Sequence, residues 1–540
     1  MGYHRISVGL MAAALLALPS QKLLAETAPK VIEEVDFAIS CGPLSQQAFK
    51  HAVWTLHSFW YPEALEEFTA IAASEPACAM AYWGIAMSQW YPLWYPPTPA
   101  ALKAGSQAVE KAMAAPTQTP READYIAAIA AFYRDNDKLD HQARAVAYEK
   151  AMEQVYERYP DDREAAVFYA LALNASALKT DKGFANQRKA AEILNKIWKA
   201  EPNHPGVVHY LIHSDDSPQF AAAGLDAAIC YAKVAPDVPH ALHMPSHIFT
   251  RLGMWQQSID SNRAAHTAAL AYVHRTQGLG SYDQETLHTM DYLEYAYLQI
   301  AQDGPAKAVI DELIGFRQSA NANLAGAYAV AAIPVRYVLE RRDWPGAAAL
   351  SEPAIGFPLE RFPWAEAMIV YARALGDART GNIVGAEAEI TRLQSLEDEL
   401  KGKDTYWANQ VEVQRLAAAG ILAHVRGDAK EAAALARAAA DLDATMDKHP
   451  ATPSSVLPAR ELLADLLLEL NQPAAALVEY QAMLSTDPNR FRSLLGEARA
   501  AKQTGDSATA HDAYWKLVAL SKPVGSARPE LDEARSNLAN

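Results

Sequence analysis

The sequence predicts an all-α protein, a solenoid of stacked helical hairpins, and three observations carry that prediction. At 540 residues the chain exceeds what one hydrophobic core organises, so it must be several domains or a stack whose core grows lengthwise. Its composition is alanine-rich and strand-poor, which favours the stack. A cadence of small residue, aromatic residue and proline returns along the chain, and near the C-terminus it does so at a spacing of 34 residues.

In chain order, the first element reads as a secretory signal over residues 1–25: a basic head with Arg5, an apolar run from Ile6 to Pro19, and small residues near Ala25. The run is too short to span a bilayer, and retention as an uncleaved anchor is the competing reading. No later segment is long and apolar enough to be transmembrane, so the mature chain is expected to be soluble, in the periplasm or secreted. An N-terminal segment, 26–43, follows. Cys41 and Cys78 flank the first clear hairpin; a bridge between them would contribute about 3–4 kcal/mol, and two buried thiols are the alternative. Cys230, in AAICYAKVAP, reads as a small core residue.

The repeats begin near Leu44. YPEALEEFTAIAASEP, Tyr61 to Pro76, carries Ala64, Phe68 and a closing proline. The pattern returns with Ala190 and Pro202, and with Gly224 and Pro236. LNQPAAALVEYQAMLSTDP is followed 34 residues later by TGDSATAHDAYWKLVAL, where Ala476 matches Ala510 and Tyr480 matches Tyr514. Small residues let paired helices approach, the aromatic fills the seam, and proline ends the second helix. Pro99 and Pro120, each after a threonine, read as capped helix starts. Interruptions fall at WYPLWYPP, which contains Trp90, Tyr91, Trp94 and Tyr95, at 174–187, at 272–284 and at 357–363. They suggest an N-terminal stack over 44–270, irregular middle repeats over 271–363 and a C-terminal stack over 364–540.

These segments resemble the tetratricopeptide-repeat family, in which repeats of this length form a right-handed superhelix with the first helices lining a concave groove. The resemblance runs from about Leu44 to Ala519. It implies a binding module whose ordinary partner is a protein or peptide, and the signal-like start makes the expected member an exported bacterial one.

Nine of the sixteen histidines fall between His204 and His288. His209 and His213 form one H-x3-H pair, His243 and His247 another, 34 residues on. The i, i+4 spacing puts each pair on one helix face, and the repeat period sets the pairs side by side. The resemblance implies that all four face the groove, with His240 and Arg251 on the same face. Four imidazoles so placed could converge on one transition metal, zinc or copper first, because neutral imidazole suits those ions. Asp215 and Asp216 could serve as further ligands, as hydrogen-bond acceptors or as a general base. His57 and His288 would join only if the superhelix brings them across. Trp83 and Trp90, with Met87, could floor a ligand cavity, although such aromatic stripes more often form core.

Other chemistries lack their signatures. Tyr210 and Met244 stand where a zinc protease needs glutamate. No G-x-S-x-G elbow and no phosphate-binding glycine loop appear, so no nucleotide cofactor is expected. The net charge of −16 argues against nucleic acid as partner. The expectation is therefore a binding module whose histidine-lined groove takes a metal, a small ligand or a shared ligand. A metal-dependent enzyme using the same cluster with Asp215 or Asp216, a metal-free peptide-binding scaffold and an inert envelope spacer stand as alternatives.

Overall fold

A computed structural model describes residues 1–2, 35–93, 96–116, 118–178, 180–319, 322–521 and 528–539. The expected signal, beyond its first two residues, and Trp94 and Tyr95 of the aromatic loop lie outside them. The unit Glu33–Asn540 is a solenoid of tetratricopeptide-like helical hairpins. Pro43–His57 pairs with Tyr61–Ser74, Ala79–Ser88 with Pro99–Ala114, and the succession continues to Phe491–Thr504 with Ser507–Leu520. Among the described residues no helix is long and apolar enough to cross a membrane.

The seam logic is visible at both ends of the stack. A Cβ on Gly84 would lie 2.2 Å from the ring of Phe68, and one on Gly496 would lie 2.1 Å from the ring of Tyr480. In each case the aromatic of one hairpin occupies the space that glycine leaves in the next helix. The helix starts behave as expected: Thr98 accepts from the Ala101 N–H, and Thr119 with Glu122 forms a capping box before Pro120. Cys41 and Cys78 are joined in a disulfide, Cα to Cα 5.3 Å. Cys230 is half-exposed rather than core, its Sγ turned toward the Pro202 carbonyl at 3.7 Å. The helix Leu225–Val234 buries the neighbouring Ala227, Ala228 and Tyr231 instead.

The irregular stretches have distinct structures. Residues 177–184 connect two helices. The 272–284 stretch begins as helix, because Trp255–Gln277 runs on until Gly278, at φ 95°, turns the chain. Ser281–Tyr282 then pairs in parallel with Gln318–Ser319. In the third stretch a short 3-10 turn, Leu359–Arg361, leads into Pro363–Thr380.

The later repeats fold back on the earlier ones. Trp255 Nε1 donates to the Asn489 carbonyl at 2.8 Å, Arg251 reaches Asp447 at 3.2 Å, and Lys448 reaches Asp216 at 2.9 Å. Ala451 joins the apolar core built by residues 35–254. The groove is therefore occupied, beside the histidines, by the non-helical segment 447–458.

Candidate metal centre

One continuous helix, one helical segment broken in the middle, and the helix Gln284–Gln299, which bears His288, carry the histidines. Pro205–Asp215 starts at Pro205, where the missing N–H costs nothing, and its cap is His204, whose Nδ1 accepts from the Val207 N–H. His209 and His213 follow on one face. The next segment breaks at Met244 because Pro245 cannot donate, giving Pro239–His243 and Pro245–Arg251. His243 and His247 straddle that break.

His209, His240, His243, His247 and His288 are buried and His213 is half-buried, so the cluster lies inside the protein and not on an open groove face. It divides into two triads. In one, the Nε2 of His209 lies 3.1 Å from that of His213 and 3.2 Å from that of His240. In the other, the Nε2 atoms of His243 and His247 are 3.0 Å apart, and the His288 ring centroid is 4.3 Å from that of His243. Within each triad the potential ligand atoms lie inside 4.8 Å of one another. Two imidazoles on one tetrahedral ion, with bonds of about 2.0–2.1 Å, hold their nitrogens about 3.3 Å apart.

The far side of each ring fixes which nitrogen carries the proton. His209 Nδ1–H donates to the His57 carbonyl at 2.7 Å, His243 Nδ1–H to Asn262 Oδ1 at 2.7 Å, and His247 Nδ1–H to Asp216 Oδ2 at 2.9 Å. The Asn262 amide is itself oriented, since its Nδ2 donates to the Ser258 carbonyl at 2.7 Å. A carbonyl, an amide oxygen and a carboxylate only accept, so three Nε2 atoms carry lone pairs and not protons. Burial holds His209, His213, His243 and His288 well below the ordinary imidazole range, and it lowers His247 to about 4 in spite of Asp216. Buried neutral rings with their lone pairs turned toward each other are poised for a cation.

Asp216 is an orienting group. Beyond His247 it accepts from Arg251 Nε at 2.8 Å and from Lys448, and these cations hold its carboxyl well below the usual range although burial opposes them. Asp215 turns elsewhere, its Cβ packing beside Gly224, and burial pushes its carboxyl up to about 7. Arg251 is fixed between Asp216 and Asp447.

A third group, His57 with Glu164 and His204, also lies within 4.8 Å, but its hydrogen bonds close on themselves. Glu164 accepts from both imidazole Nε2 atoms at 2.8 Å, Tyr210 OH donates to His57 Nδ1 at 2.9 Å, and His204 Nδ1 caps its helix. Neither imidazole keeps a nitrogen lone pair free for an ion, so His57 acts through its carbonyl, which orients His209. Trp83 and Trp90 do not floor a cavity. Trp83 packs edge-on against Phe37 and Phe168, and Trp90 against Tyr148, all in the buried core.

Between the triads lies a small cavity lined by His213 and His240 from one, His247 and His288 from the other, and Met244. Leu93, Pro450 and Ala451 close it. Leu93 and Pro450 also border an adjoining cleft of about 280 Å3 that reaches His213, Arg251 and Lys448. The aromatic loop thus caps the site with a leucine. Asn262, Met244 and the Pro450–Ala451 cover carry no signal in the sequence, being common residues far from the histidine motif.

No family model matches the chain, and no curated protein matches it. Among solved structures it is similar to the human IFIT1 dimer with PPP-AAAA, at 12% identity over 87% of this chain and 89% of that one, TM-score 0.36. It is also similar to a tetratricopeptide repeat protein from Parabacteroides merdae, at 13% identity over 70% and 99%, TM-score 0.25. A third is the APC/C hetero-tetramer Cut9-Hcn1, at 11% identity over 92% and 90%, TM-score 0.28. Likeness at these scores carries no argument about ligand or partner; the solenoid rests on the helix pairing itself.

Proposed function

We propose that this chain is an exported bacterial binding module of the tetratricopeptide type whose function is to bind a transition metal, copper or zinc, in the buried histidine cluster. One observation carries the reading. The Nε2 atoms of His243 and His247 face each other at 3.0 Å while both Nδ1 atoms donate to groups that only accept. Two lone pairs so opposed repel, and a metal ion between them turns that repulsion into two bonds. The disulfide supports an oxidising compartment, periplasmic or extracellular. The cleft beside the cluster supports access for a small ligand more than for a folded partner.

Elemental analysis of untagged protein, purified without chelator, tests the proposal. At least one equivalent of copper or zinc per chain is expected, with loss in a His213→Gln, His247→Gln double variant that keeps its helix content. Metal-free protein that also fails to take up either ion on titration would overturn it.

A further inference from the structure

Resting on that metal-binding reading, we infer that the cluster is a two-copper centre, one copper(I) ion held by His209, His213 and His240 and a second by His243, His247 and His288, both facing one shared cavity. A single ion cannot use all six rings. The potential ligand atoms of each triad lie within 4.8 Å of one another and the two triads form separate groups by that measure, with the rings of His213 and His247, and of His240 and His243, standing 6.1 Å apart across the divide. Each triad is complete by itself, with three nitrogens able to converge on one point.

The ligand chemistry selects the ion. All six donors are imidazoles, which bring no charge of their own to an ion held through a ring lone pair, and the nearest carboxylates stand behind them: Asp216 on His247 Nδ1 at 2.9 Å and Glu285 at 3.5 Å from His240 Nδ1. Neither set therefore cancels charge at the ion. Two divalent cations side by side in a buried, neutral shell would carry a desolvation and repulsion cost that two monovalent ions largely avoid. Copper(I) accepts three-coordinate nitrogen ligation, and Met244, a soft thioether, lines the same cavity. Each ion keeps its open side toward that cavity, which has room for about one water-sized group. A small ligand with one or two donor atoms would touch both ions.

The test is anaerobic titration of the full, untagged chain with copper(I) against a competing chelator, in a Cys230→Ser background that removes the free thiol. Two ions per chain are expected. The pair His209→Gln with His213→Gln, and separately His243→Gln with His247→Gln, should each retain one. Single variants His240→Gln and His288→Gln, less disruptive to folding, should each weaken one ion at least tenfold and leave the other unchanged. After oxidation by ferricyanide, which takes one electron from each copper(I), neighbouring copper(II) ions should couple, so that the paramagnetic signal falls well below two spins per chain, while each double variant gives one full spin. One ion per chain, lost in both double variants, would overturn the two-ion centre and leave the proposed function standing; no copper(I) taken up would overturn the two-copper centre, and no zinc taken up in a parallel titration would then overturn the proposed function as well. Two full spins, or two ions that survive in every variant, would likewise overturn the shared centre.

Discussion

Lys448 and Asp216 meet at 2.9 Å across 232 residues of chain, and the carboxylate they share with Arg251 is the one that orients His247. The contact that folds the late repeats onto the early ones is therefore also a contact that sets the tautomer of a proposed ligand. Replacing Asp216 by Asn leaves two buried cations facing a neutral amide. The expected cost is about 3–5 kcal/mol of stability, together with a loss of about 10–100-fold in metal affinity from the misdirected ring. Denaturant unfolding and chelator competition measure the two effects separately.

Gly496→Val should overpack the C-terminal seam, because even a Cβ there would lie 2.1 Å from the Tyr480 ring. A loss of about 1–3 kcal/mol is expected, centred on Phe491–Thr504 and Ser507–Leu520, since repeat contacts are mainly between neighbours. Replacing the buried Ala510 by a bulky residue should act in the same place. Hydrogen exchange should show that region fraying while Pro43–His57 and Ala79–Ser88 stay protected; uniform loss along the stack would contradict the solenoid.

Removing the Cys41–Cys78 bridge, which spans 37 positions, should destabilise the N-terminal segment by about 3–4 kcal/mol through the unfolded chain. Neither cysteine touches the histidine cluster, so metal stoichiometry should stay constant. The mass of the chain after alkylation, with and without reductant, reports the bridge.

Glu294 gives a pH signature. It is buried 3.5 Å from Arg336, which also pairs with Asp291, and burial raises its carboxyl well above the ordinary 4.5 in spite of that cation. The folded chain then keeps a proton that the unfolded chain releases. Stability should fall as pH rises above about 4.5, by about 1.4 kcal/mol per pH unit, until the native carboxyl itself ionises. A Glu294→Gln variant should lose this slope in thermal unfolding measured from pH 5 to 8.

The fold was legible because its logic is local. Phe68 with Gly84, and Tyr480 with Gly496, obey one packing rule that recurs at a fixed spacing, and Thr98 and Thr119 cap the helices they precede. The H-x3-H pairs were legible for the same reason. Their surroundings were not: an open superhelix would have exposed them, whereas Phe59 and Tyr231 pack on His209, Asn262 and Tyr292 on His243, and Pro450 and Ala451 close the cavity beside His213 and His247. His240 and His288 gain their places from helix crossings that no spacing encodes. His57 shows the converse, with a ring that looked available and proves committed to Glu164 and Tyr210.

The six imidazoles lie within residues 209–288, whereas Pro450 and Ala451, which roof them, come from much later in the chain. Contacts so distant in sequence form late, after the loop between them has been closed. On that ordering the donors are expected to come together while their roof is still missing, and for that interval they would stand at the bottom of an open bowl. Whatever enters the bowl meets ready-made donors before the door is hung. A chain that ends before residue 447 would stay in that state, keeping its grip but not its privacy.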